Sequence, residues 1–357
     1  MAGLKNKEKK INLFSRFAAI FLALLFTFII LLASGAPPFS AFGHIISGSV
    51  GSINKISDVL VAWVPLLIVT AGLLVTFTGG LWNIGVEGQI TLGAIFTTGM
   101  LRLLLHTPLP PGLIIFLSIV CGIIGGALWA GLAGILKTYG GVNEIFGGLG
   151  LNFVATALTL WLIFGPWKRP GTGSMSGTEP FPTQLWLPQL AGLRLSPWSL
   201  ILALLGLAVI YLLLKNTYFG LRLKAVGKNR NAAHILGIPT TRYMMSAFFI
   251  CGAFAGLAGS IQVVAVYHRL IPSISSGYGF LGLLVAMLTN YQALWTLPIT
   301  LFFAALNIGS IQLPIVLRLD SSLAGVLQGA LVLFVLIMDG IRSRLQKQPI
   351  PDQEISK

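Results

Sequence analysis

Apolar runs recur along this chain, each close to the ~20 residues an α-helix needs to cross a bilayer core about 30 Å thick. They fall near residues 17–34, 58–78, 84–104, 112–136, 145–165, 197–214, 243–266, 278–290, 294–310 and 322–338. Once a run of that length is committed to lipid, every backbone N–H and C=O in it must be satisfied internally, so only a helix or a closed barrel serves. Continuous runs, as opposed to alternating ones, point to helices. The expected fold is therefore all-α: a polytopic transmembrane bundle of about ten helices, forming one membrane domain over 1–340 with a short tail at 341–357. The two halves, with about five spans each, allow a degenerate structural repeat.

Charge agrees with that solvent. Only 9% of the 357 residues are charged, against about 25% in soluble proteins. The first run follows Lys5, Lys7, Lys9 and Lys10, and Ser34-Gly35-Ala36 resembles a cleavage site. The run is longer than a signal-peptide core, so a retained helix is expected, with a signal peptide as the alternative. With the N-terminus inside, sixteen of the 23 Lys and Arg residues fall in inside segments, six of them in the loop 215–242. The positive-inside rule then places both termini in the cytoplasm and the loop 166–196 outside. The net charge of +14 is a topology signal. No basic, aromatic-interleaved soluble domain is present to bind nucleic acid.

Enzyme signatures are missing. There is no G-x-x-x-x-G-K-[ST] phosphate loop. The histidines His44, His106, His234 and His268 have no metal-ligand spacing. Cys121 and Cys251 sit in apolar runs and read as small core hydrophobes.

Three segments carry polar groups where lipid would penalise them. In GLWNIGVEGQ (80–89), Asn83, Glu87 and Gln89 open an apolar run among three glycines. A carboxylate at that depth persists if it faces the bundle interior, finds partners or lines water. The segment is thus either a broken or re-entrant helix along a translocation path, or a helix entry with Glu87 satisfied by nearby backbone. In VNEIFGGLGLN (142–152), Asn143 suits a helix N-cap and Glu144 the positive end of the helix dipole. Asn152 lies deeper and suits an interhelical hydrogen bond or the pathway wall. In GLRLKAVGKNRNAAHILGIP (220–239), Asn229 is a plausible N-cap, Gly237 a plausible C′ residue and Pro239 a stop. This predicts a short helix near 230–236. Ala232 and Ala233 are expected to be exposed on it, small enough to enter a partner's groove; the bland alternative is a loop of positive-inside anchors. Two G-x-x-x-G patterns, Gly122/Gly126 and Gly252/Gly256, permit close helix packing, within the bundle first and between chains second.

GLWNIGVEGQITLGA and FGLRLKAVGKNRNAAHILGI together resemble motifs of bacterial ABC importer permeases of the nucleoside and simple-sugar branch. Those permeases work with basic-membrane-protein-type lipoproteins and are related to ribose and branched-chain amino acid permeases. VNEIFGGLGLNFVA is similar too, although Gly148, Leu149 and Gly150 stand where a threonine-leucine-methionine type sequence is more usual. The resemblance covers about residues 60–340. It implies two permease subunits, commonly two different chains, in a bacterial plasma membrane, with ATP and Mg bound by separate ATPase subunits, no cofactor in this chain, and a substrate-binding lipoprotein outside. It also implies that the 230–236 helix docks on the ATPase, with Gly227, Asn229, Ala232, Ala233 and Gly237 as the coupling positions. The NIGVEGQ wording favours nucleosides over simple sugars. Asn83, Glu87, Gln89, Asn152, Gln262 and Asn290 are the expected substrate-path residues, since neutral hydroxylated substrates suit amide side chains. An ion-coupled secondary transporter and a membrane scaffold or lipid-modifying enzyme are the competing classes.

Overall fold

The computed structural model describes residues 21–22, 25–26, 28–33, 35, 37–171, 177–289 and 291–318, with seven further positions between 325 and 337. The whole tail 341–357 and much of the first and tenth expected spans lie outside that set, as does Asn290. Every regular element among the described residues is helical. In chain order they are α1 (Pro38–Val50), α2 (Ile53–Thr78), α3 (Val86–Leu104), α4 (Pro111–Thr138), α5 (Glu144–Phe164), α6 (Pro197–Asn216), α7 (Tyr218–Lys228), α8 (Arg230–Ile235), α9 (Thr240–Ile261), α10 (Tyr278–Leu288), α11 (Ala293–Ser310) and α12 (Gln312–Leu317). A π-helical turn, Gln262–Tyr267, continues α9.

Among the described residues six helices are long and apolar enough to cross a bilayer: α2, α4, α5, α6, α9 with its π-turn, and α11 continued through α12. The expected third span is a 19-residue helix, α3, which is not among these six. The expected eighth is the 11-residue α10, about 16 Å long at 1.5 Å per residue and too short to span. The element missed altogether is α1. Its Gly, Ser and Pro content reads as loop, but Pro38 at its first turn needs no N–H partner and is compatible with a helix start.

The chain divides into two compact units, 52–305 and the two ends, 1–51 with 306–357. In the end unit, Ala41 and Ile45 of α1 bury with Leu31 and with Leu313 of α12.

In the larger unit α9 packs against α2, α3 and α4. Here the two G-x-x-x-G patterns meet each other. A methyl group at Gly126 would overlap the Gly252 carbonyl, and one at Gly256 would overlap that of Gly122. Gly93 of α3 meets Gly256 from the other side. The patterns therefore serve packing within the chain. With lipid tails as apolar as the side chains, such close backbone contact is what holds helices together. Thr97 and Ser260 add a buried hydrogen bond of 2.8 Å across α3 and α9. Residues along most of α2 are buried, as expected of a helix apolar on all faces.

Candidate functional site

The polar centre grows from a chain reversal. α2 ends at Gly79, and Gly80 adopts φ +70°, a conformation open to glycine at little cost. Leu81 N–H then donates back to the Thr76 carbonyl at 2.9 Å. Residues 81–83 run without helical structure before α3 begins at Val86. A helix broken inside a bundle leaves unpaired peptide groups that must find partners, and the amide side chains here supply them.

Asn83 and Gln89 face each other as a reciprocal amide pair. Asn83 Nδ2 donates to Gln89 Oε1 at 2.9 Å, and Gln89 Nε2 donates to Asn83 Oδ1 at 2.8 Å. Both side chains are buried. Asn152 reaches across from α5 and bridges the break: its Oδ1 accepts from Gly88 N–H at 2.8 Å and its Nδ2 donates to the Ile84 carbonyl at 2.9 Å. Gly148, in the segment that departs from the usual family wording, packs on Gly85 so closely that no side chain fits between them.

Glu87 turns to another element. Its Oε1 accepts from Phe280 N–H at 3.0 Å, in the first turn of α10, where free N–H groups and the helix dipole favour an anion. Gln262, in the π-turn, donates to the Ile274 carbonyl at 3.3 Å and to Ser276 Oγ at 3.4 Å. Tyr267 Oη lies 3.1 Å from the same Ser276 Oγ. Glu87 and Gln262 thus both hold the segment 274–280 that leads into α10. Asn83, Gln89 and Asn152 form one cluster, Glu87 and Gln262 a second.

The C-terminal end of α9 is capped by the segment 177–189. The π-turn and the left-handed His268 (φ 54°) leave carbonyls without helical partners. Phe181 N–H donates to the His268 carbonyl and Leu187 N–H to that of Val264, both at 2.9 Å. His268 stacks on Trp186 with ring centroids 3.6 Å apart. Burial there lowers the His268 pKa to about 4.

The loop after α6 folds as two short helices. Asn229 Oδ1 accepts from Ala232 N–H at 2.9 Å and caps α8. At the other end Gly237 has φ +79°, with Gly237 N–H bonded to the His234 carbonyl and Ile238 N–H to that of Ala233. This is a Schellman closure. One expectation is corrected: Ala233 is buried in the chain's own packing, and only Ala232 of the pair is exposed. Ile235 and Leu236 are the apolar residues turned outward, 84% and 78% exposed. The sequence motif itself singles out the small pair Ala232 and Ala233 and not these two. Two large aliphatic residues in a basic, polar loop, just before a glycine stop, were the available signal.

α7 joins this loop to the polar centre. The Gly227 backbone lies against Gly80, and a methyl group on Gly227 would overlap the Thr78 carbonyl. Lys137 and Glu144 form an ion pair lining a neighbouring cavity with Gly79, Gly227 and Asn229. Asn143 caps α5 through Ile145 N–H at 2.9 Å.

Residues 55–336 match the profile of the family described as the permease component of the branched-chain amino acid transport system. The chain belongs to that family. It is a multi-pass membrane permease component, not an enzyme. It is 29% identical over 316 residues to the glucose ABC transporter permease protein TsgB13 of Haloferax volcanii, covering 86% of this chain and 82% of that one. It is 27% identical over 334 residues to the guanosine ABC transporter permease protein NupP of Bacillus subtilis, covering 91% and 93%. A nucleoside ABC transporter permease protein of Lactococcus lactis, NupB, is 27% identical over 316 residues, covering 86% and 85%.

Proposed function

We propose that this permease is one membrane subunit of an ATP-driven, binding-protein-dependent importer in a bacterial plasma membrane, with nucleosides as its cargo. The observation that carries the coupling half of this reading is α8: a helix capped at both ends in a basic loop, with Ile235 and Leu236 exposed beside it. Apolar residues held out to water on a rigid mount suit a partner surface. On this reading the partner is an ATPase subunit carrying ATP and Mg. The loop 215–242 and both termini face the cytoplasm, a second permease subunit completes the pathway, and a lipoprotein delivers substrate on the side of loop 166–196. The path runs beside the broken entry to α3 and the short α10. Asn83, Gln89 and Asn152 shape one wall, and Glu87 and Gln262 fix the loop facing it.

Nucleosides are favoured because the 80–89 motif resembles that branch and two of the three relatives described above carry nucleoside or guanosine in their names. Simple sugars are the second reading, on the strength of the glucose-named relative.

The test is co-expression with the cognate ATPase and second permease, then purification through a tag on this chain. Wild type is expected to retain the ATPase, and Ile235→Asp with Leu236→Asp to lose it while the permease pair stays intact. Nucleosides delivered by the binding protein should then stimulate ATP hydrolysis more than glucose does. Wild type without ATPase, with all subunits folded and present, would sink the reading. Gradient-driven uptake by this chain alone would point to a secondary transporter instead.

A further inference from the structure

A second cavity opens on the same end of the larger unit as α7, between the ends of α2 and α6 and the start of α11. It has a volume of about 400 Å³, within the roughly 300–1,000 Å³ of small-molecule sites. Its walls combine two kinds of group. Lys215 and Lys224 bring ammonium groups, and Tyr211, Tyr291 and Trp295 bring aromatic rings. Leu214 and Leu294 add aliphatic surface.

Both lysines are held by neutral partners. Lys215 Nζ donates to Tyr211 Oη at 2.6 Å and lies 5.0 Å from the centre of that ring. Lys224 Nζ donates to the Leu214 carbonyl at 2.8 Å, near the end of α6. Neither lysine is in an ion pair among the described residues, so no described carboxylate neutralises them. Each ammonium has three donors and spends one on the contact given. Two fixed positive charges facing one cavity repel each other and favour an anion between them.

The aromatic groups say where that anion comes from. Tyr291 is set in a left-handed turn (φ 62°) and stacks on Phe77 at 5.0 Å. Trp295 and Leu294 are more than half exposed. Tyr and Trp beside lysines, at the ends of membrane helices, occupy the headgroup level of a bilayer. Basic pockets between such helices take lipid headgroups. A free phosphate would use the lysines and leave the exposed Leu294 and Trp295 surfaces uncovered; a phospholipid would cover them with its acyl chains.

We propose that this cavity seats the phosphate of an anionic phospholipid, held between Lys215 and Lys224, with its chains running out along Leu294 and Trp295. The site depends on the chain lying in a membrane and on no step of the transport cycle.

The experiment uses the delipidated full-length chain in neutral detergent, titrated with phosphatidylglycerol and followed by intact-complex mass spectrometry. Phosphatidylcholine, inorganic phosphate and glycerol 3-phosphate form the comparison arms. Wild type is expected to bind phosphatidylglycerol more tightly than phosphatidylcholine. Lys215→Gln with Lys224→Gln should weaken phosphatidylglycerol by about tenfold or more, and Arg242→Gln, exposed in the first turn of α9, should not. Lys215→Gln alone, which leaves the Lys224 contact to α6 intact, should give a smaller loss and serves if the double variant does not fold. Phosphatidylglycerol binding unchanged in a folded Lys215→Gln or double variant overturns the proposal. Displacement of the lipid by inorganic phosphate or glycerol 3-phosphate at equal concentration also overturns it, and assigns the cavity to a free anion.

Discussion

The contact of α3, α4 and α9 and the α7–α8 loop lie in one unit of the same chain and are built by opposite rules. In the helical core, backbones touch through Gly93, Gly122, Gly126, Gly252 and Gly256, and the amides of Asn83, Gln89 and Asn152 find partners within the chain. In the loop, helix ends are closed just as carefully, yet Ile235, Leu236, Tyr218 and Leu221 are left exposed. The difference teaches where to look for partners. A polar group in lipid must be satisfied at home and reports on architecture. An apolar group in water has been left for something else to cover.

The largest effect should come from breaking the core's side of that contrast. Gly256→Leu forces a side chain between helices with no space for a methyl, and overpacking of this kind costs about 3 kcal/mol or more. The expected outcome is loss of monodisperse protein in detergent. A folded Gly256→Leu chain would show that the helices slide apart easily.

Next is Asn152→Ala, which leaves Gly88 N–H and the Ile84 carbonyl without their partner. The penalty for such stranded groups is about 1–3 kcal/mol each. A thermal melt in detergent should shift down clearly, and Asn152→Asp should not restore it, because Nδ2 donates to a carbonyl.

On the loop's side, Asn229→Ala removes one capping bond, for about 1 kcal/mol. Protease access near 229–237 should rise while the global melt hardly moves. A global shift would erase the distinction between loop and core.

The smallest effect belongs to the segment 177–189. Burial beneath Trp186 keeps His268 neutral, with a folded pKa of about 4 against about 6.5 when unfolded. The unfolded state takes up the proton first, so the contribution of His268 is intact above about pH 6.5 and is lost as pH falls toward 4. Limited proteolysis of this segment should increase from pH 7 to pH 4.5, less so in His268→Phe.

Much of this was legible in the chain. Apolar run length located α2, α4, α5, α6 and α9, because lipid leaves the backbone little choice. Asn229, Gly237 and Asn143 announced helix ends through local chemistry alone, and the ends formed as expected. What stayed hidden depends on contacts distant in sequence. Glu87 bonds to Phe280, nearly two hundred positions away, and nothing local to either residue specifies the other. Ala233 turned inward because a six-residue helix has too few positions for periodicity to fix its buried face. The π-turn at Gln262–Tyr267 has no compositional mark, and α1 was masked by small residues that pack against Gly309 and Gln312.

The meeting of Gly227 with Gly80 has a mechanical consequence. Where helices touch through side chains, a displacement is first absorbed by rotamers, as play is taken up in a worn gear. Here two bare backbones are in register with nothing compressible between them. A displacement of α7 would therefore meet the turn that leads to Asn83 with no side chain between them to absorb it.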